Sequence, residues 1–294
     1  MTLYYPQIAR NLDSLGEEQK KYESIKSDIL MPYIPIIARL DGKAFHTYTK
    51  NLKKPFDIDL QACMKETLTT LCEKYQADLG YSQSDEITLV WYNDNPDKII
   101  FDGRRDKYMS LLASTCSVVF YKATLKYLPN KSDDMPQFDC RVFQVPNNQK
   151  VFENILWRWL DARKNSVSML ASSIYSPKEL LKKSTKERKE MLKEKGIFWD
   201  DYPSDCKFGY FCKKKVYYKK IECPEKFKES IDGGIEFGPD DIRVPRKQYM
   251  IVDTPALYIL SPTYTPDNLV DGKYENDMRL LHDIFSTQYL GAFN

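Results

Sequence analysis

Residues 34–40 run Ile-Pro-Ile-Ile-Ala-Arg-Leu, apolar and rich in β-branched side chains, and close on Asp41-Gly42. This run predicts a short buried strand. Past Asp57, apolar residues recur at Leu60, Cys63, Met64, Leu68, Leu71, Cys72 and Tyr75. That is the spacing of a helix face, with Asp57 placed to cap its start. Residues 87–92 read as a second strand, 93–96 as a turn and 98–101 as a third strand. Met109, Leu112, Cys116 and Val119 or Phe120 then align on one face of a helix over 104–126, and residues 140–145 read as a fourth strand. The order strand, helix, strand, strand, helix, strand predicts an α+β, ferredoxin-like antiparallel sheet with its helices on one face.

Past residue 150 the pattern changes. Residues 151–173 read as a helix, and 177–195 as a second, strongly basic helix with Pro177 in its first turn. Aromatic and basic residues over 210–218 predict strands, and 222–247, rich in Gly, Pro, Asp and Glu, an excursion. A charged stretch over 17–29 favours helix. The expected division is a catalytic domain over 1–150 and a helical and β extension over 151–294.

Composition alters this picture little. At 294 residues a chain buries roughly 75% of its unfolded surface, so a core needs no staples. The 44 basic and 42 acidic residues leave a net charge of +2, which neither demands nor excludes nucleic acid; only the distribution of charge is informative. Seven cysteines without a CxxC pair read as reduced thiols, and two histidines offer little to a zinc site. The first residues lack the pattern of a secretory signal, and no apolar run approaches a membrane span. The expectation is a cytoplasmic protein with no membrane association.

Candidate chemistry lies where acids meet strand ends. Asp41 ends the first strand; Ser84-Asp85-Glu86 opens the second. If these strands pair antiparallel, Asp41 converges with Asp85 or Glu86 at one rim of the sheet. Carboxylates crowded there repel, and Mg²⁺, which takes oxygen ligands, relieves that repulsion. Two such ions, about 3.5–4 Å apart, serve phosphoryl transfer by activating an attacking hydroxyl and stabilising the leaving oxygens. The plainer alternative is that these acids face water at turns, where Asp-Gly is common. In a regular strand Asp85 and Glu86 also point to opposite faces.

Several segments in order resemble the signatures of the histidine-tRNA guanylyltransferase superfamily. They are Ala-Arg-Leu-Asp-Gly-Lys-Ala-Phe-His (38–46), Lys54-Pro55-Phe56-Asp57, Tyr81-Ser82-Gln83-Ser84-Asp85-Glu86, Phe138-Asp139-Cys140-Arg141-Val142-Phe143 and Trp157-Arg158-Trp159-Leu160-Asp161. Asp13-Ser14-Leu15-Gly16 fits as well, and the resemblance spans residues 13–213. It implies a polymerase-like palm that adds nucleotides to an RNA 5′ end, opposite in direction to ordinary polymerases. A 5′-monophosphate is first activated with ATP, or a 5′-triphosphate is used directly; the 3′-hydroxyl of an incoming nucleoside triphosphate such as GTP then attacks. Where the tRNA-His enzymes carry His-Ile-Asn-Asn-Leu-Tyr-Asn, this chain has Arg163-Lys164-Asn165-Ser166-Val167-Ser168-Met169. That stretch is similar to the guanylyltransferase-like branch, associated with templated repair of tRNA 5′ ends.

Carried over residue by residue, the resemblance implies that Asp41, Gly42 and Asp85 hold two Mg²⁺ ions, with Glu86 beside them in the catalytic set. Arg39, Lys43, Ala44, Phe45, His46, Lys54, Asp57, Ser84 and Lys107 fall to nucleotide binding, and Arg104, Arg105, Arg158 and Asn165 to RNA; Lys178, Lys182 and Lys186 of the basic segment join the RNA candidates on their charge alone. A homotetramer is also implied. Lys182, Lys186 and Lys189 share a face if 177–195 is one helix, suited to tracking phosphates, although a solvated surface explains such charge equally. The Lys213–Lys215 cluster amid tyrosines is a further candidate RNA contact. Against templated repair stand addition of a single G to tRNA-His, a palm-type nucleotide cyclase, and a non-catalytic RNA-binding module.

Overall fold

Alternation within β1 (Ile36–Gly42) sets the architecture. In the computed structural model, which describes residues 28–220 and 243–252 together with Lys20, Ile36, Ala38 and Leu40 enter one hydrophobic core. Ile37 enters another on the opposite side of the sheet, as a period of two requires. Helices α1 (Phe45–Tyr48) and α2 (Ile58–Tyr75) follow, then β2 (Leu79–Gln83), β3 (Glu86–Trp91), α3 (Arg105–Tyr127) and β4 (Phe138–Gln144). Next come α4 (Asn148–Ser172), α5 (Thr185–Glu194), α6 (Ser204–Phe208), β5 (Tyr210–Lys220) and β6 (Arg243–Val252).

The strands lie in the order β4-β1-β3-β2-β5-β6, every neighbouring pair antiparallel. The first four, with α2 and α3, form the expected ferredoxin-like unit. α2 and α3 bury Met64, Leu68, Leu71, Leu112, Cys116 and Phe120 on one face. On the other, Val151 and Ile155 of α4 meet Ile37, Leu79, Tyr81, Val90 and Phe211. Elements before and after residue 150 therefore share one sheet. The far half of α4 builds a smaller cluster with Leu180, Leu192 and Trp199.

Three expectations for local structure are corrected. The central hairpin joins β2 to β3 through the tight turn Ser84-Asp85, whereas the sequence reading took its strands as 87–92 and 98–101. β2 reads Leu-Gly-Tyr-Ser-Gln, and Gly80, Ser82 and Gln83 break up its apolar run although all five residues are buried. Residues 98–101 form 3₁₀ turns instead: Asn95 caps the one opened by Pro96, and Phe101 and Asp102 are left-handed (φ 57° and 53°). The basic helix begins at Thr185, not Pro177. Ser184 and Glu187 make a reciprocal capping box there, and Lys182 lies outside the helix at φ 61°. Residues 243–247, expected within the excursion, belong to β6. The helix expected over 17–29 and the segment 221–242 lie outside the described residues, Lys20 apart.

Gly80 governs how closely α2 seats on β2. A Cβ there would stand 2.4 Å from the Cys72 sulfur and 2.7 Å from Leu68 Cδ1. Gly80→Ala therefore overpacks this contact and lowers stability by about 1–3 kcal/mol. Urea unfolding reads this as a lower midpoint with an unchanged m-value; an unshifted midpoint would contradict it.

Candidate active site

The register of β1 places Asp41 opposite Glu86 of β3 and opposite Asp139 of β4. These acids share the sheet face covered by α4, because Ile37 and Val90, in phase with them, enter that core. Asp85 occupies the turn before Glu86, where Ser84 adopts a left-handed φ of 51° and its hydroxyl donates to Asp85 Oδ1 at 3.0 Å. A non-glycine residue in that conformation is a point of local strain. Asp41, Asp85 and Glu86 line one cleft of about 570 Å³, within the range of small-ligand sites. The expected convergence of acids from two strands is therefore present.

Burial pushes Asp85's carboxyl above the usual carboxylate range; the Ser84 hydroxyl opposes this, and Asp41's charge adds to it. Glu86 is also raised, chiefly by burial, with Arg158 and Arg39 opposing and Asp41 contributing. Its partner is plain: Arg158 of α4 donates from Nε and from Nη2 at 2.7 Å each, both groups nearly buried (8% and 6% exposed). Arg158 also meets Asp161 at 3.2 Å, and Asp161 accepts from Asn165 at 3.2 Å. Spaced three and four along one helix, these residues form a polar line from α4 to the acidic rim. Arg158, expected to contact RNA, is instead the counter-ion of Glu86, and its buried guanidinium is taken up within the protein.

Lys54 and Pro55 border the same cleft. Asp57 fixes their loop: Oδ1 accepts from the Asp59 and Leu60 amides, capping α2, while Oδ2 accepts from the Lys53 amide at 2.9 Å. Asp57 also lines a smaller pocket of about 70 Å³ with Phe56, Ser84, Asn165, Asp205 and Tyr210. Gly42 is required by Phe45, whose ring carbons lie 2.3–2.7 Å from where a Cβ would stand. Phe45 is 4% exposed and packs on Tyr48, Phe120 and Phe138. Its side chain supports the loop, so a nucleotide contact at Phe45 falls to the backbone. Ala44 is left-handed at φ 54°, and Lys43 and His46 are exposed there; the His46 Nε2 lies 3.1 Å from Thr47 Oγ1.

The remaining candidates stand outside the cleft. Arg104 pairs with Asp106 at 2.9 Å, while Arg105 donates to the Val142 carbonyl at 2.8 Å and meets Asp28 at 3.2 Å. Lys107 is exposed on the first turn of α3. Lys178, Lys182 and Lys186 are exposed, but the proposed common face with Lys189 is broken. Lys182 precedes the helix, and the Lys189 ammonium lies 3.7 Å from the Trp199 ring centroid. Lys214 donates to Gln76 and lies 5.3 Å from the Tyr249 ring centroid.

Arg141 escaped the sequence reading, yet the β1–β4 register sets it directly beside Arg39. Its position two residues past Asp139 on an alternating strand is the signal that could have found it. Among the described residues no group of three or more His, Cys, Asp or Glu is arranged to hold a metal ion. Two carboxylates in a cleft suit Mg²⁺, which keeps waters and phosphate oxygens as its other ligands. None of the described helices is long and apolar enough to cross a membrane.

The tRNAHis guanylyltransferase (Thg1) family model matches residues 16–146. A tRNA(His) guanylyltransferase of Candida glabrata is 27% identical over 215 residues, covering 65% of this chain and 89% of that protein. A bacterial tRNA(His) guanylyltransferase (Thg1)-like protein, solved in complex with ATP, is 30% identical with a TM-score of 0.66, covering 83% of this chain and 94% of its own. A second such structure, in complex with GTP, is 27% identical with a TM-score of 0.63, again covering 83% and 94%.

Arg158→Ala leaves the Glu86 carboxylate buried without a counter-ion and destabilises the fold by about 3–5 kcal/mol. The double replacement Arg158→Met with Glu86→Leu removes both charges and restores most of that loss. A double-mutant cycle by denaturant unfolding checks this; a negligible effect of the single change would contradict it.

Proposed function

Since this chain belongs to the tRNA(His) guanylyltransferase family of nucleotidyltransferases, we propose that its acidic cleft joins nucleotides to the 5′ end of a tRNA in the templated-repair mode. The single observation that carries the reading is the meeting of Asp41 and Asp85 in one cleft while Arg158 neutralises Glu86. Two unpaired carboxylates remain, and their mutual repulsion is relieved by a divalent cation.

Asp41 and Asp85 are the residues that would hold Mg²⁺, with the Gly42 backbone beside them. When bound, the ion supplies an activated hydroxyl nucleophile and neutralises charge on the leaving oxygens. Lys54 faces the phosphates across the cleft, positioned through Asp57's grip on its loop. Arg39 and Arg141, one step inward from the acids, face the 5′ end of the RNA. Such cations act by positioning and by stabilising charge, which is most of what phosphoryl transfer requires of a protein. A 5′-monophosphate oxygen attacks the α-phosphorus of ATP and pyrophosphate leaves, giving an adenylylated 5′ end; the 3′-hydroxyl of an incoming triphosphate then attacks the RNA's 5′ phosphorus and AMP leaves. A 5′-triphosphate enters directly and releases pyrophosphate.

The stretch 163–169 favours repair over single G addition. Asn165 and Ser168 border the cleft there, where the tRNA-His enzymes carry His-Ile-Asn-Asn-Leu-Tyr-Asn. Incubation with a 5′-truncated tRNA and with full-length tRNA-His, each with the four nucleoside triphosphates, separates the two modes. The expected result is extension of the truncated tRNA by the nucleotides its template strand specifies. A single G added only to tRNA-His would overturn the repair mode.

Asp85→Asn tests the metal assignment. Its incorporation rate falls by about a hundredfold or more, since metal stabilisation is worth several kcal/mol. Without divalent ions Asp85's raised carboxyl makes its ionisation oppose folding, so its contribution is greatest below the ordinary carboxylate range and is lost as pH rises through the raised value. Metal-free Asp85→Asn is therefore at least as stable as the parent at neutral pH, and the gap closes in acid. Mg²⁺ with GTP raises the melting temperature of the parent alone; an equal rise in both proteins would count against Asp85 as a ligand.

A further inference from the structure

Trp157 is 51% exposed on α4, whereas Trp159 two residues on stacks against Phe208 at 4.5 Å. The ring is open to solvent and adjoins Arg158, which lines the cleft. The ring is also braced. Arg158's guanidinium carbon lies 4.6 Å from its centroid and Arg39's 6.0 Å, and Arg158 is itself held by Glu86 and Asp161.

Arg39 supplies an independent sign of a ligand. Its Nε is buried with no hydrogen-bond partner among the described residues, and a buried donor without an acceptor is costly. Its cross-strand neighbour on β4 is the exposed Arg141, and like charges directly opposite in a ladder destabilise it. Asp139 lies 3.8 Å from Arg141, and an anion against Arg39 offsets the like charge that remains. A π-face next to a guanidinium is the pairing that single-stranded nucleic acids use, phosphate to the guanidinium and base to the ring.

We infer that Trp157 is a stacking platform for the base of the nucleotide whose phosphate lies against Arg39. This rests on the nucleotidyltransferase reading of the cleft and adds a base-recognition element to it. The base comes from the 5′-terminal nucleotide of the RNA or from the incoming triphosphate. Stacking tolerates any base, so the platform supports repair by template: base choice is left to the template strand. An aliphatic side chain cannot replace it.

The test is tryptophan fluorescence titration of the full chain with a 5′-monophosphorylated acceptor-stem RNA in one arm and GTP in the other, with Mg²⁺ in both. The parent is quenched. Trp157→Phe binds within about twofold of the parent, measured by anisotropy of labelled RNA or by competition with labelled GTP, but loses most of the quench. Trp157→Leu weakens binding by about tenfold in the same arm. Quenching by RNA alone assigns the platform to the RNA end, and quenching by GTP alone to the incoming nucleotide. No quench in either arm, a full quench in Trp157→Phe, or parental affinity in Trp157→Leu would overturn the inference. Incorporation assays on the same proteins keep the two claims apart. If the parent incorporates nucleotides and Trp157→Leu does so with an unchanged KM, the platform fails and the reaction stands. If quenching depends on Trp157 but the parent incorporates nothing, the platform stands and the reaction fails.

Discussion

Acidic side chains on adjacent strands repel one another, and the pairing of β1 with β3 puts Asp41 and Glu86 opposite each other without alternative. A one-residue slip would turn Ile37 and Val90 out of one core and Leu40 and Ile87 out of the other. The hydrophobic cores thus fix the register, and the register fixes the acids. Arg158 resolves part of the resulting conflict by a bidentate pair with Glu86, the strong geometry for guanidinium and carboxylate. What remains is a pair of carboxylates, Asp41 and Asp85, sharing a cleft with Lys54. The proposed cation binding rests on that charge.

The same sheet face divides into two functional bands because α4 covers only part of it. Under α4 lie the apolar contacts of Val151 and Ile155 with β1, β2, β3 and β5. Over β4, Asp139 and Arg141 stay exposed, so the acids at the rim and the arginines one step inward are reachable by a nucleotide. Loops entering this region are tied down by buried features: Asp57 holds the Lys53 amide, and Phe45 fills the space above Gly42. Positioning by such groups is what a reaction dominated by electrostatics and alignment requires.

Where one face of an element is buried and the other wet, the sequence was legible. α2 and α3 show it; β1 was legible instead as a short apolar run closing on Asp41-Gly42, and the Asp57 cap by its residue type. Buried positions in the two helices recur at the element's own period, and a cap has its own residue types. β2 was hidden because Gly80, Ser82 and Gln83 break up the apolar run by which the equally buried β3 was read. The basic segment 177–195 was misread because charge and proline mimic a helix start, while the working start is the Ser184–Glu187 box. Arg158 was misassigned because a sequence shows an arginine but not its counter-ion, here 72 positions away. Arg141's place beside Arg39 depends on which strands pair, which the order of elements alone does not specify.

The central claim is that Asp41 and Asp85 together grip divalent cations against a triphosphate while Glu86 stays with Arg158. Anomalous scattering from crystals grown with Mn²⁺ and a non-hydrolysable GTP analogue addresses it directly. The account predicts manganese peaks in contact with both aspartate carboxylates and with phosphate oxygens, and an intact Glu86–Arg158 pair. Manganese bound away from residue 41, or Glu86 swung off Arg158 to ligate the ion in place of Asp85, would contradict it.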